Sequence, residues 1–132
     1  MKIFVDTSAF VAIENDEELN YFLAQSILEK VDSSKATLVT SNYVIAETLT
    51  VLSQRVSKKV AIKFQEEDVP ALEVIRIEKS TEEVAFEIFK KLDSKNVSFV
   101  DCTSFALMKQ FGITTAFTFD KDFKKQGFKL LD

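Results

Sequence analysis

The chain has 132 residues and a mass of 15.0 kDa, so we expect residues 1–132 to fold as a single domain. Apolar residues make up 46% of it and charged residues 29%, which excludes wholesale disorder. One cysteine and no histidine exclude a disulfide framework, a zinc site built on cysteine or histidine, and catalysis by a histidine base. The net charge of -4 speaks against a generic nucleic-acid binder, unless a bound metal ion reverses the local field.

The first half of the chain alternates short apolar runs with helical patterns. In chain order, the spacing predicts a strand over residues 2–5, a helix over 16–31, a strand over 36–40, a helix from a cap at Ser41 or Asn42 to about Val56, and a helix over 58–67. No apolar run approaches the roughly 20 residues that a bilayer-spanning helix needs. Residues 1–6 also reach a charge too early for a signal peptide, so we expect a cytoplasmic protein without a membrane partner.

The second half of the chain continues this alternation. Pro70 ends the preceding helix, and the elements predicted after it are a strand over 72–77, a helix opened by a capping box at 80–83, a strand over 97–100, a helix over 103–111 stopped by Gly112, a β-rich run over 113–119 and, after Gly127, a strand over 128–131. Strands that alternate with helices predict an α/β fold, with a mostly parallel sheet covered on both faces.

An aspartate follows three of the apolar runs that resemble strands. These residues are Asp6, Asp101 and Asp120. Because ligands of parallel α/β sheets bind beyond the carboxyl ends of the strands, the three carboxylates are expected to converge there. Their repulsion has to be offset, and Mg²⁺ or Mn²⁺ suits such oxygen ligands. The alternative is that each aspartate only caps the helix that follows it.

Glu47 is the fourth candidate acid. It lies at the start of a helix that is apolar almost all round, where a lone carboxylate is costly unless it is paired or used. The alternative is a partly exposed glutamate whose aliphatic stem covers apolar neighbours.

Three further polar residues adjoin these acids. Thr7 and Ser8 follow Asp6 and would present hydroxyl groups to the site, although local capping is an equally common use. Asp122 either adds to the site or caps the short segment 123–125, and capping is the preferred interpretation. Two groups of lysines could guide a phosphate backbone, but a solvated surface is the favoured interpretation of both: Lys58, Lys59 and Lys63, and Lys121, Lys124, Lys125 and Lys129.

Four segments of the chain resemble, in order, the motifs of PIN domains: residues 4–10, 40–47, 98–101 and 118–123. The chain as a whole is similar to the single-domain VapC-like ribonucleases, the toxins of type II toxin–antitoxin modules. This resemblance implies a three-layer α/β/α sandwich with a mostly parallel central sheet. It also implies an endoribonuclease that depends on Mg²⁺ or Mn²⁺.

Carried over by position, the resemblance places Asp6, Glu47, Asp101 and Asp120 in the acidic site. Asp6 and Asp101 would be the metal ligands. It further implies an RNA substrate, a homodimer and a small antitoxin protein as partner. The chain departs from the family pattern after the second motif, where relatives often have Arg-x-Gly and this sequence has Arg55 without the glycine.

Two other functions remain open from the residues alone. An acid-rich α/β domain can be a phosphatase or a phospho-acceptor with an aspartate nucleophile, but no acid stands two positions after Asp6. A PIN-like module that binds without catalysis is the second alternative, and it receives no support from a sequence that retains all four acids.

Overall fold

Five short parallel strands form the centre of the protein, in a computed structural model that describes residues 1–132. The strands are β1 (Lys2–Val5), β2 (Thr37–Ser41), β3 (Glu73–Ile75), β4 (Thr115–Phe117) and β5 (Lys129–Leu130). Their spatial order is β3-β2-β1-β4-β5, and every neighbouring pair is parallel. The carboxyl ends of all five strands therefore lie at one edge of the sheet.

Seven α-helices connect and cover these strands. They are α1 (Thr7–Glu14), α2 (Tyr21–Ser34), α3 (Asn42–Arg55), α4 (Lys58–Lys63), α5 (Lys79–Lys91), α6 (Phe99–Gln110) and α7 (Asp122–Lys125). Successive side chains of a strand point to opposite faces, yet Ile3, Phe4 and Val5 of the central strand are all buried. Both faces of the sheet are thus covered, and the predicted three-layer α/β/α fold is confirmed. None of the helices combines the length and the apolar character that crossing a bilayer requires.

Several predicted elements are present with small shifts. β1 and α3 have the expected bounds, and Ser41 caps α3 because its Oγ accepts a hydrogen bond from the Val44 N–H at 3.1 Å. The predicted helix over 58–67 is present as α4, continued by a π-helical turn (Phe64–Asp68) and a 3₁₀ turn (Val69–Ala71) that contains Pro70. Gly112 ends α6 as expected, with a φ of 66° that glycine adopts without strain. The last three strands are shorter than predicted.

The prediction of one helix over 16–31 is wrong at its start. Residues 7–14 form the separate helix α1, and α2 begins only at Tyr21. The Asn15 side chain accepts a hydrogen bond from the Glu17 N–H at 3.1 Å, which favours a turn over a continuous helix. Leu19, which the helical spacing placed on an apolar face, is 95% exposed in this turn.

The prediction of a strand over 97–100 is also wrong. Ser98 instead caps α6, because its Oγ accepts a hydrogen bond from the Asp101 N–H at 3.1 Å. Asp101 Oδ2 in turn accepts one from the Ser98 N–H at 3.0 Å. This reciprocal pair is a capping box, so Asp101 lies in the first turn of a helix and not at the end of a strand.

The capping box predicted at 80–83 does not form. α5 begins earlier, at Lys79, and the side chain of the preceding Glu78 makes no capping hydrogen bond. Thr81 is used in the packing of α5 on α6, where its hydroxyl donates to Gln110 Oε1 at 2.7 Å. α5 therefore starts earlier than the sequence pattern suggested and has no side-chain cap.

Glu14 lies at the end of α1 with a side chain that is only 9% exposed, and Lys63 Nζ is 3.7 Å from it. Burial, together with the neighbouring carboxylate of Asp68, raises the pKa of Glu14 to about 8. The folded-state pKa is above the unfolded one, so this group makes folding less favourable as pH rises from about 4.5 to 8. We expect Glu14→Gln to raise the free energy of unfolding at pH 8.5 by about 1–2 kcal/mol, with no gain near pH 4. Urea unfolding at both pH values measures this, with the exposed Glu29→Gln as control, and an equal pH response of wild type and Glu14→Gln would contradict it.

Candidate active site

A cleft of about 330 Å³ contains all four acids that the sequence singled out. Asp6 enters it from the end of β1, Glu47 from α3, Asp101 from the first turn of α6 and Asp120 from the segment after β4. Larger hollows of about 390, 420 and 630 Å³ are lined by none of these four residues, and one of about 520 Å³ adjoins the cleft and is lined by Glu47 alone of the four. The parallel topology explains the convergence, since β1 and β4 are neighbours whose carboxyl ends open on the same side.

Asp6 is buried at the entrance to α1, and its side chain makes no hydrogen bond that caps this helix. Its Oδ2 instead accepts two hydrogen bonds, from Ser8 Oγ and from Thr118 Oγ1, each at 3.0 Å. Burial raises the pKa of Asp6 above its usual range, the two hydroxyl groups partly offset this, and the charge of Glu47 adds to it. The interpretation of Asp6 as a simple helix cap is therefore not supported.

Ser8 and Thr118 form a short polar bridge between the ends of β1 and β4. While both hydroxyl groups donate to Asp6, Ser8 Oγ accepts from the Phe119 N–H and Thr118 Oγ1 from the Asp120 N–H, each at 3.0 Å. Sequence reasoning included Ser8 and missed Thr118. The available signal was its position two residues before Asp120, within the fourth motif.

Asp101 both caps α6 and lines the cleft. Its Oδ2 is held by the Ser98 N–H, whereas Oδ1 accepts no hydrogen bond within the protein. Burial raises the pKa of Asp101 to about 7, and the charges of Asp6 and Asp120 contribute in the same direction. The adjacent Cys102 is fully buried, and burial raises the pKa of its thiol to about 11, as expected for an inert apolar side chain.

Lys121, and not Asp122, is the N-cap residue of the short helix α7, and its side chain makes no capping hydrogen bond. Asp120 Oδ1 accepts a hydrogen bond from the Asp122 N–H at 2.9 Å, and burial raises the pKa of Asp120. Asp122 is the first residue of α7, its carboxylate lies 3.7 Å from Lys125 Nζ, and it does not line the cleft. The capping role expected of Asp122 is therefore wrong, whereas its supporting role stays a prediction, because its carboxylate also raises the pKa of the neighbouring Asp120.

Glu47 is half-buried on the face of α3 that borders the cleft. It also lines an adjoining groove together with Tyr43, Val51 and Val100. Thr7 is buried and lines the cleft too, with its hydroxyl 3.5 Å from that of Thr48 on α3. Thr7 therefore also contributes to the contact between α1 and α3.

The charge of the cleft is strongly unbalanced. Its lining contains a fifth acid, Glu18, and a single basic residue, Arg55. The four candidate acids take part in none of the protein's four ion pairs. None of the seven lysines that the sequence analysis considered lines the cleft, in keeping with the favoured interpretation that they are surface residues.

The donor chemistry of this cleft fits a hard divalent cation. Asp6 and Asp101 are buried carboxylates without a cationic partner, and such charges are costly unless something neutralises them. Oxygen donors are the ligands that Mg²⁺ and Mn²⁺ prefer. No three of the acids are close enough to form a complete cluster of ligands in this conformation. The acids thus form a set of available donors along the cleft.

Comparisons with known proteins show which proteins this chain is similar to. The 23S rRNA-specific endonuclease VapC20 of Mycobacterium tuberculosis is 36% identical over 129 residues, covering 96% of this chain and 95% of that protein. The crystal structure of VapC20, described as a sarcin-ricin loop cleaving toxin, matches with a TM-score of 0.85 and 34% identity over 96% of this chain and 95% of that one. FitAcB from Neisseria gonorrhoeae has the same fold, with a TM-score of 0.72 and 15% identity over 100% of this chain and 97% of that one. The model of the PIN domain family matches residues 3–129, and the chain therefore belongs to the PIN domain family.

Proposed function

We propose that residues 1–132 act as one PIN domain that hydrolyses phosphodiester bonds of RNA, as the toxin of a type II toxin–antitoxin module. The observation that carries this proposal is the convergence of four acids, without a cationic partner, in one cleft at the carboxyl edge of the sheet. Membership of the PIN family and the similarity to an rRNA endonuclease favour this function over a phosphatase, a phospho-acceptor or a silent binding module.

In this proposal Asp6 and Asp101 hold Mg²⁺ or Mn²⁺, and Glu47 and Asp120 complete the acidic site. A bound divalent cation would polarise the scissile phosphate and lower the pKa of an attacking water. The protein's own contribution is orientation. Two hydroxyl groups hold Asp6 Oδ2, and the backbone of Ser98 holds Asp101 Oδ2.

The chain has no histidine and no lysine lines the cleft, so a carboxylate is the side chain best placed to accept the proton of the attacking water. Glu47 is the strongest candidate for this role. It lines the cleft, it forms no ion pair, and its carboxylate accepts no hydrogen bond from another residue of the protein.

We propose a structured loop of ribosomal RNA as the substrate class, supported by the similarity to the 23S rRNA-specific VapC20. Loops expose unpaired nucleotides whose backbone can enter a cleft of this size. A small antitoxin protein and a second copy of the chain are the proposed protein partners.

The test is cleavage of purified ribosomal, transfer and messenger RNA by the purified protein with Mg²⁺ or Mn²⁺, or with EDTA. We expect cleavage with metal, none with EDTA, and a loss of at least about 100-fold in Asp6→Asn, because that variant lacks a carboxylate of the acidic site. Cleavage that persists in Asp6→Asn would contradict the assignment. A folded protein that cuts no RNA with either metal would favour the silent binding module.

A further inference from the structure

Arg55 is the single basic side chain in the lining of the acid cleft. It is the last residue of α3, it is exposed, and it takes part in none of the four ion pairs. Asn20, from the turn between α1 and α2, lines the same cleft, and its side-chain amide forms no hydrogen bond within the protein. Two side chains with unused hydrogen-bond donors therefore border a cleft that is otherwise acidic.

The position of Arg55 relative to the acids follows from the geometry of α3. Glu47, Val51 and Arg55 are spaced by four residues, so they share one face of the helix, and all three line the cleft. Eight residues of α-helix span about 12 Å along the axis. The backbone positions of Glu47 and Arg55 are thus well separated along the cleft, and the guanidinium group forms no ion pair with Glu47.

An RNA strand cleaved at the acids has further phosphates on either side of the scissile one. The acidic walls repel these phosphates, and none of the candidate lysines lines the cleft to attract them. A guanidinium group binds phosphate through paired hydrogen bonds and keeps its charge at any relevant pH. Arg55 has no carboxylate partner that would compete for it.

We propose that Arg55, assisted by Asn20, binds a backbone phosphate that flanks the scissile phosphodiester and so fixes how a single RNA strand lies along the cleft. This inference rests on the proposed ribonuclease function and extends it, because it assigns a second contact to the substrate. A phosphate contact carries no base information, so its loss should weaken all RNA substrates to the same extent.

The test uses Arg55→Gln and Arg55→Lys, with Arg76→Gln as the matched control. Arg76 is the only other arginine of the chain, and it is exposed away from the cleft. The KM and kcat are measured at several NaCl concentrations on two labelled RNA hairpins that differ in their loop sequences. Binding of the same hairpins is measured by fluorescence anisotropy in an Asp101→Asn background with Mg²⁺, and thermal unfolding confirms that each variant is folded.

For Arg55→Gln we expect KM and the dissociation constant to rise about tenfold on both hairpins, while kcat changes by less than about twofold. The slope of log affinity against log salt should decrease by about 0.7 to 0.9, the value for one phosphate contact. Arg55→Lys should recover part of the loss, and Arg76→Gln should behave as wild type.

Unchanged KM, affinity and salt slope in Arg55→Gln would overturn the inference. A loss that differs between the two loop sequences would indicate base recognition and would also overturn it. The cleavage rate of the wild type tests the proposed function. The difference in RNA binding between Arg55→Gln and Arg76→Gln tests this inference, so the two can fail separately. If wild type and the Asp101→Asn background bind neither hairpin, both fail.

Discussion

Asp101→Asn should abolish RNA cleavage and, in the absence of metal, make the protein more stable. The cleavage rate is expected to fall at least about 100-fold, because a proposed metal ligand is lost. Stability should rise because burial and the neighbouring carboxylates raise the pKa of Asp101 to about 7, so the ionised form is unfavourable in the folded protein. Asparagine keeps the oxygen that accepts from the Ser98 N–H and removes the charge.

The sign of the stability effect depends on pH. The folded-state pKa of Asp101 lies above the usual value of 3.8, so the destabilisation in wild type is complete above about pH 7 and vanishes as pH falls below about 4. At pH 8 in EDTA, urea unfolding should show a gain of about 1–2 kcal/mol for Asp101→Asn. The exposed Asp93→Asn is the control, with no expected change in activity or stability. A variant that loses stability together with activity would show that Asp101 has a structural role only.

Divalent cations should stabilise the wild-type protein through the same carboxylates. Mg²⁺ or Mn²⁺ at about 100 times its dissociation constant should add about 2.7 kcal/mol to the free energy of unfolding, because it binds only the folded chain. Thermal unfolding with metal, with EDTA, and with NaCl at equal ionic strength separates binding from general screening. The double variant Asp6→Asn/Asp101→Asn should lose the metal response, and an equal response in that variant would place the cation elsewhere.

The unpartnered acids connect these two predictions. Burial raises the pKa of Asp6, Asp101 and Asp120, so the ionised forms of these acids lower the stability of the folded protein, as is common at functional sites. A bound metal ion is positively charged and an RNA backbone is negatively charged, so the binding of either is expected to strengthen the binding of the other. Arg55 is then the positively charged side chain with which the protein itself contacts the RNA.

Local sequence was sufficient for much of the fold. The apolar run that ends at Val5 predicted β1, and Ser41 predicted the start of α3, because strand burial and helix capping depend on neighbouring residues. Asp6 was identified for the same reason, since a charge directly after a buried strand marks its carboxyl end. The roles of the individual acids stay predictions until the variants are measured.

Other features depended on contacts between distant parts of the chain. Residues 97–100 have a strand-like composition, but the capping box of Ser98 and Asp101 makes the segment a helix start, so Asp101 reaches the cleft by another route than the one predicted. Thr118 donates to Asp6 across 112 residues of sequence, and although its position two residues before Asp120 was a local signal, that position does not identify Asp6 as its partner.

The sequence by itself determined the alternation of strands and helices, the absence of histidine chemistry, and the identity of the four acids. Only the tertiary structure decided which groups border them: Thr118 beside Asp6, the Asp122 N–H on Asp120, and Arg55 in place of the lysines. The physical reason is that hydrophobic periodicity and capping act over a few residues along the chain. Which side chains line a cleft depends instead on how elements that are distant in the sequence pack against each other. Local sequence patterns carry no signal of that packing.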